Sequence, residues 1–137
     1  MIAIDTSAVV AILKKEEERD LFAEIIGTAE AAFFSTVGYL EASMVLIGRG
    51  RTRRGLELDN LMEELAIELI VFDEQQAKIS QTAFIRFGKG RHPAGLNFGD
   101  CVSYALAQSR GLPLLYRGDD FAKTDVVSAL PGQVPDC

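Results

Sequence analysis

The chain reads as an α/β protein built on a short, mostly parallel central sheet of four to five strands, with helices on both faces. Three observations predict this. Short apolar runs recur at Met1 to Ile4, Ala31 to Phe34, Leu69 to Phe72 and Pro113 to Tyr116, and segments of helical periodicity separate them. The first run is continuous, Met-Ile-Ala-Ile, as in a strand buried on both sides. Strands that alternate with helices become parallel neighbours, because each helix carries the chain back to the starting edge.

The elements follow in order. Met1 to Ile4 ends at Asp5, Thr6 and Ser7, all good helix-capping types, and Ala8 to Leu13 starts a helix. Lys14 to Arg19 is a charged break. Leu21, Phe22, Ile25 and Ile26 then repeat at helical spacing until Gly27. After the strand Ala31 to Phe34, Ser35 and Thr36 cap a helix from Val37 to about Gly48. Arg49 to Gly55, basic and punctuated by glycine, reads as a loop or hinge. From Leu56 to Glu68 a stripe of Leu58, Leu61, Met62, Leu65 and Ala66 predicts another helix. The strand Leu69 to Phe72 leads to Asp73, which opens a helix reaching about Phe87. Gly88 to Gly95 has the composition of an exposed loop. Asn97 to Gly99 enter a helix from Asp100 to Arg110 that Gly111 stops, Pro113 to Tyr116 is a strand, and Val126 to Leu130 is a candidate edge strand. There is no internal repeat and no low-complexity tract.

Composition narrows the function classes. With 137 residues, 48% of them hydrophobic, residues 1–137 are expected to form a single domain with one buried core. No apolar stretch approaches the roughly 18 residues of a membrane span, and the chain opens on a strand-like run in place of a basic leader, so the expected location is cytoplasmic with no membrane association. Cys101 and Cys137 lack zinc-type spacing and form no disulfide framework; Cys101 reads as a free, buried thiol. A net charge of -6 argues against simple attraction to nucleic acid, yet the basic residues cluster at Arg49, Arg51, Arg53 and Arg54 and at Lys89, Arg91 and His92, and local potential outweighs the sum. The single histidine, His92, supports no serine or cysteine triad, and neither a phosphate loop nor a dinucleotide fingerprint is present.

The acids are the most informative residues. Asp5 and the pair Asp119/Asp120 lie just past the carboxyl ends of expected strands, the edge at which open α/β sheets bind ligands. Glu41 and Asp100 belong to early turns of expected helices. Ordinary roles exist for each: Asp5 and Asp100 as helix caps, Asp119 and Asp120 as turn residues. Glu41 resists such a role, because Val37, Gly38, Met44 and Val45 at helical spacing place it on an apolar stripe, where an unpaired carboxylate costs several kcal/mol. Carboxylates gathered in one small volume raise one another's pKa unless a cation holds them, and oxygen donors suit Mg²⁺ or Mn²⁺. Thr6, Ser7 and Thr36 are supporting candidates through their hydroxyls.

These residues, in this order, resemble the PIN domain family, and within it the VapC-type toxins of bacterial toxin–antitoxin pairs. The resemblance runs from Ile2-Ala3-Ile4-Asp5-Thr6-Ser7-Ala8 through Tyr39-Leu40-Glu41-Ala42 and Gly95-Leu96-Asn97-Phe98-Gly99-Asp100-Cys101 to Gly118-Asp119-Asp120-Phe121. It implies that Asp5, Glu41 and Asp100 occupy the three best-marked acidic positions. Many members write a threonine, any residue, an acid, any residue, an acid and a phenylalanine; anchored on Phe121, Gly118 here takes the first acid's place, so Asp119 or Asp120 supplies the last carboxylate. The resemblance further implies a Mg²⁺- or Mn²⁺-dependent endoribonuclease acting on single-stranded or loop RNA, neutralised by a cognate antitoxin and forming a homodimer, with Asp5 and Asp100 holding the principal ion. Two other readings remain: a catalytically silent binding module of the same fold, and a phosphatase-like hydrolase using Asp5 as nucleophile. The second lacks the aspartate such enzymes carry two residues on, where this chain has Ser7.

Overall fold

The computed structural model describes residues 1–48 and 53–131. Its elements are β1 (Ile2–Ile4), α1 (Thr6–Leu13), α2 (Arg19–Thr28), β2 (Ala32–Ser35), α3 (Thr36–Ile47), α4 (Arg53–Glu64), β3 (Ile67–Ile70), α5 (Glu74–Phe87), α6 (Phe98–Arg110) and β4 (Leu114–Leu115), followed by a single 3₁₀ turn at Phe121–Lys123. The strands form one sheet in the order β3-β2-β1-β4, every pairing parallel. The expected α/β architecture is present.

Side chains alternate across the sheet with period two, so each strand feeds two cores. Ile2, Ile4, Ala32, Phe34 and Leu115 join α1 to α4 on one face. Ala3, Phe33 and Leu114 join α5 and α6 on the other, with Leu96, Leu106, Phe87 and Phe121. Phe34 and Ile4 are fully buried, each worth about 2–3 kcal/mol of transfer free energy.

The strand order places the functional edge. From β1 the chain steps outward through β2 to β3, then returns by α5 and α6 to lay β4 on the other side of β1. The connections leaving β1 and β4 therefore part in opposite directions and open a crevice at their carboxyl ends. Asp5 extends the ladder by donating its N–H to Leu115 O (2.9 Å), so its side chain sits at the mouth of that crevice.

Several expectations shift. The third strand is Ile67–Ile70, two residues earlier than Leu69 to Phe72, because Ala66 adopts a left-handed φ of 52° that ends the preceding helix and redirects the chain. Arg53, Arg54 and Gly55 belong to α4 and not to a loop; Arg49 and Arg51 lie outside the described residues, as does Cys137. The segment Val126 to Leu130 makes only an isolated bridge between Ser128 and Leu114, which leaves four strands among the described residues. Asn97, not Asp100, caps α6: its Oδ1 accepts from Asp100 N–H (2.9 Å) while Asp100 Oδ2 accepts from Asn97 N–H (3.1 Å), a reciprocal capping box.

Candidate active site

Asp5 is buried, with 4% of its surface exposed, and both carboxylate oxygens are engaged. Oδ2 accepts from Ser7 N–H at 3.0 Å, which caps α1, and Oδ1 accepts a short hydrogen bond from Ser103 Oγ. Burial lifts the Asp5 carboxyl above the ordinary 3.8, against the pull of the bonds from Ser103 and Ser7. Capping and a functional role thus coexist in one residue. Ser103 escaped the sequence reading, although it lies three residues after Asp100 and so on the same side of α6.

Asp100 stands opposite. Its pKa rises from 3.8 to about 6, first through desolvation and then through the negative charges of Asp5, Asp120 and Glu41. Three acids from distant parts of the chain therefore lie within electrostatic reach of the fourth, on α6, α1's cap, α3 and the segment after β4. The charge of Asp119 acts on Tyr116.

Glu41 reaches the cluster through a gap in α6. A Cβ built on Gly99 would collide with both carboxylate oxygens of Glu41, so the absence of a side chain at 99 makes the approach possible. The expectation that Glu41 sits on a core-facing stripe is corrected. Gly38, Ala42 and Leu46 face the core, whereas Met44 is 67% and Val45 49% exposed. Apolar residues surround α3 on most sides, and periodicity then cannot tell which side turns inward.

The hydroxyls serve as braces. Thr6 Oγ1 donates to Gly38 O (3.4 Å), joining α1 to α3. Thr36 Oγ1 accepts from Phe72 N–H (3.2 Å), and Ser7 Oγ accepts from Arg117 N–H (2.9 Å). Arg117 Nε also donates to Glu18 (2.6 Å), so the segment leading to Asp120 is tied both to the cap of α1 and to the turn before α2. In the loop after α5, Lys89 and Arg91 are exposed, whereas His92 turns inward: its Nδ1 accepts from Ala94 N–H (3.0 Å) and its ring meets Phe87 edge-on. Cys101 is a free, buried thiol whose pKa burial pushes up to about 11, which makes it inert.

Among the described residues, no three His, Cys, Asp or Glu side chains stand close enough to one point to form a ready metal cage. The donor set nevertheless suits a hard divalent cation. It consists of carboxylate oxygens only, burial first and their mutual repulsion second raise the Asp100 pKa, and the bare backbone at Gly99 leaves room for Glu41 to join them. No described helix is long and apolar enough to cross a membrane.

Comparison with known proteins matches residues 2–127 to the PIN domain family. Ribonuclease VapC30 of Mycobacterium tuberculosis is 41% identical over 131 residues, covering 95% of this chain and all of that protein. Ribonuclease VapC of Mycolicibacterium smegmatis is 42% identical over 127 residues, covering 93% of this chain and 98% of its own length. Among solved structures, VapC20 of Mycobacterium tuberculosis, a Sarcin-Ricin loop cleaving toxin, superimposes with a TM-score of 0.72 at 14% identity, covering 89% of this chain and 93% of that one. A toxin–antitoxin complex from Klebsiella pneumoniae gives 0.69 at 17% identity, covering 95% and 98%.

Proposed function

The chain belongs to the PIN domain family, and from that premise we propose that it is a divalent-metal-dependent endoribonuclease cutting single-stranded or loop RNA, the toxin of a toxin–antitoxin pair. The observation that carries the reading is the convergence of acids on the start of α6 beside Asp100, where Asp5 accepts from Ser103 and Glu41 lies against Gly99. Relatives at 41–42% identity over nearly their whole length bear ribonuclease names, which supports the same chemistry here.

Asp5 and Asp100 would hold the principal Mg²⁺ or Mn²⁺, with Glu41 and Asp120, whose charges act on Asp100, completing its surroundings; Asp119, whose charge acts on Tyr116, is the weaker candidate. The ion supplies Lewis acidity at the scissile phosphate. The protein's own residues arrange the rest. Ser103 and the Ser7 N–H hold Asp5 in one rotamer, so its carboxylate meets the substrate already oriented. Asn97 N–H donates to Oδ2 of Asp100 and steadies that carboxylate at the start of α6. The Arg117 clamp to Ser7 and Glu18 fixes the segment bearing Asp120. An open crevice suits a flexible single strand better than an A-form duplex, whose deep groove hides its bases.

Exposed Leu40, Met44 and Val45 on α3 offer the apolar surface a protein partner covers, in keeping with an antitoxin and with a homodimer. The cytoplasm, where RNA and a co-expressed antitoxin meet, is the expected location.

Purified protein freed from any partner should cut RNA with Mg²⁺ or Mn²⁺ and stop with EDTA. Asp5→Asn should remove cleavage while circular dichroism shows an intact fold. Cleavage that persists in EDTA, or in Asp5→Asn, would overturn the proposal.

A further inference from the structure

Building on the nuclease reading, we propose that the cleft between α5 and the first turn of α6 is a nucleobase subsite, seating one unstacked base of the RNA strand beside the catalytic carboxylates. The cleft has a volume of about 410 Å³ and is walled by Phe72, Phe84, Phe98 and Val102, with Ser80 and Gln81 as its polar members. That size falls within the range of small-ligand pockets.

Phe98 is the residue that demands a reason. It occupies the first position of α6 with 73% of its surface in water, and Phe84 across the cleft is 41% exposed. Two partly open aromatic rings lining one cleft offer a stacking surface, which accepts any base because every base has a π face. The charges at the rim match a nucleic-acid strand. The Arg91 guanidinium stands 6.0 Å from the Phe84 ring centroid, and exposed Lys89 shares its loop, so a cation borders the Phe84 side of the cleft, where it can meet a phosphate backbone.

Position relative to the acids completes the case. Phe98 and Asp100 lie two residues apart, so at about 100° per residue their side chains leave the end of α6 on different sides. A strand crossing that end presents its phosphate to Asp100 and its base to Phe98. The far wall is braced to the same site: Phe72 N–H donates to Thr36 Oγ1 (3.2 Å) at the start of α3, the helix that carries Glu41. The subsite and the carboxylates thus share rigid elements, so stacking one base would align a particular phosphodiester with the acids and bias which bond is cut.

The test uses the full chain in EDTA, where binding is read without cleavage. It is titrated into short single-stranded RNAs that carry one fluorescent purine analogue. Stacking should quench the analogue; Phe98→Ala should weaken binding about 5- to 100-fold and abolish the quench, and Phe98→Tyr should restore both. With Mn²⁺, Phe98→Ala should lower kcat/KM by about the same factor and broaden the base preference at the cut, since the ring binds and positions the strand. Phe84→Ala provides the independent second variant. Unchanged binding and cut-site preference in both alanine variants would overturn the subsite while leaving the nuclease reading intact. A wild-type protein that cuts nothing yet quenches in a Phe98-dependent way would do the reverse. If Phe98→Ala instead halves the particle mass by light scattering with no change in RNA affinity, the ring seats a second copy of the chain and the proposal falls.

Discussion

Replacing Asp100 with asparagine should make the metal-free protein more stable while removing its activity. The pKa of Asp100 moves from 3.8 to about 6, which at 1.36 kcal/mol per pH unit is about 3 kcal/mol against its charged form. Asp100 is only half-buried, so solvent screening reduces the realised effect to about 1–2 kcal/mol. The amide oxygen of asparagine can still accept from Asn97 N–H, which preserves the capping box. The sign follows from linkage. A carboxyl whose folded pKa is raised contributes most to stability below pH 3.8, and that contribution is lost as pH rises through about 6. Asp100→Asn should therefore match the wild type near pH 4 and melt about 3–8 °C higher at pH 7.5 in EDTA, followed by circular dichroism. In Mn²⁺ at the same pH, its RNA cleavage should fall at least about 100-fold, since a lost ion ligand forfeits several kcal/mol of transition-state stabilisation. An asparagine variant that melts lower than wild type at neutral pH, with no growth of the difference between pH 4 and 7.5, would refute the charge argument.

Two further outcomes probe the same cluster. Gly99→Ala should keep the fold, with stability within about 1 kcal/mol because alanine favours the helix, yet cut cleavage about tenfold or more by displacing Glu41; unaltered kinetics would show that Glu41 takes no part. Mg²⁺ or Mn²⁺ should raise the melting temperature at pH 7.5 and lose most of that effect by pH 5, where Asp100 is protonated, whereas a shift equal at both pH values would place the ion elsewhere.

Three helix starts, those of α1, α3 and α5, were legible because capping is local. Asp5, Ser35 and Asp73 each accept a backbone N–H two or three residues on, as their types and positions predict. Boundaries that depend on a backbone outlier were not: the left-handed Ala66 moves β3 two residues, and nothing in the side chain of alanine announces it. Residue identity also placed Glu41 on the wrong face of α3, whose apolar side chains point both into the core and out to solvent. Ser103 and Gly99 carry no motif; they matter only because α6 lies against Asp5 and Glu41.

By itself the sequence determined the alternation of strands and helices, the caps at Asp5, Ser35 and Asp73 and the identities of the acids, since these depend on neighbours a few residues away. The tertiary structure alone decided that β4 pairs with β1 and that the charges of residues 5, 41 and 120 act on Asp100. Charge coupling falls with distance through space, and distance along the chain does not reveal it.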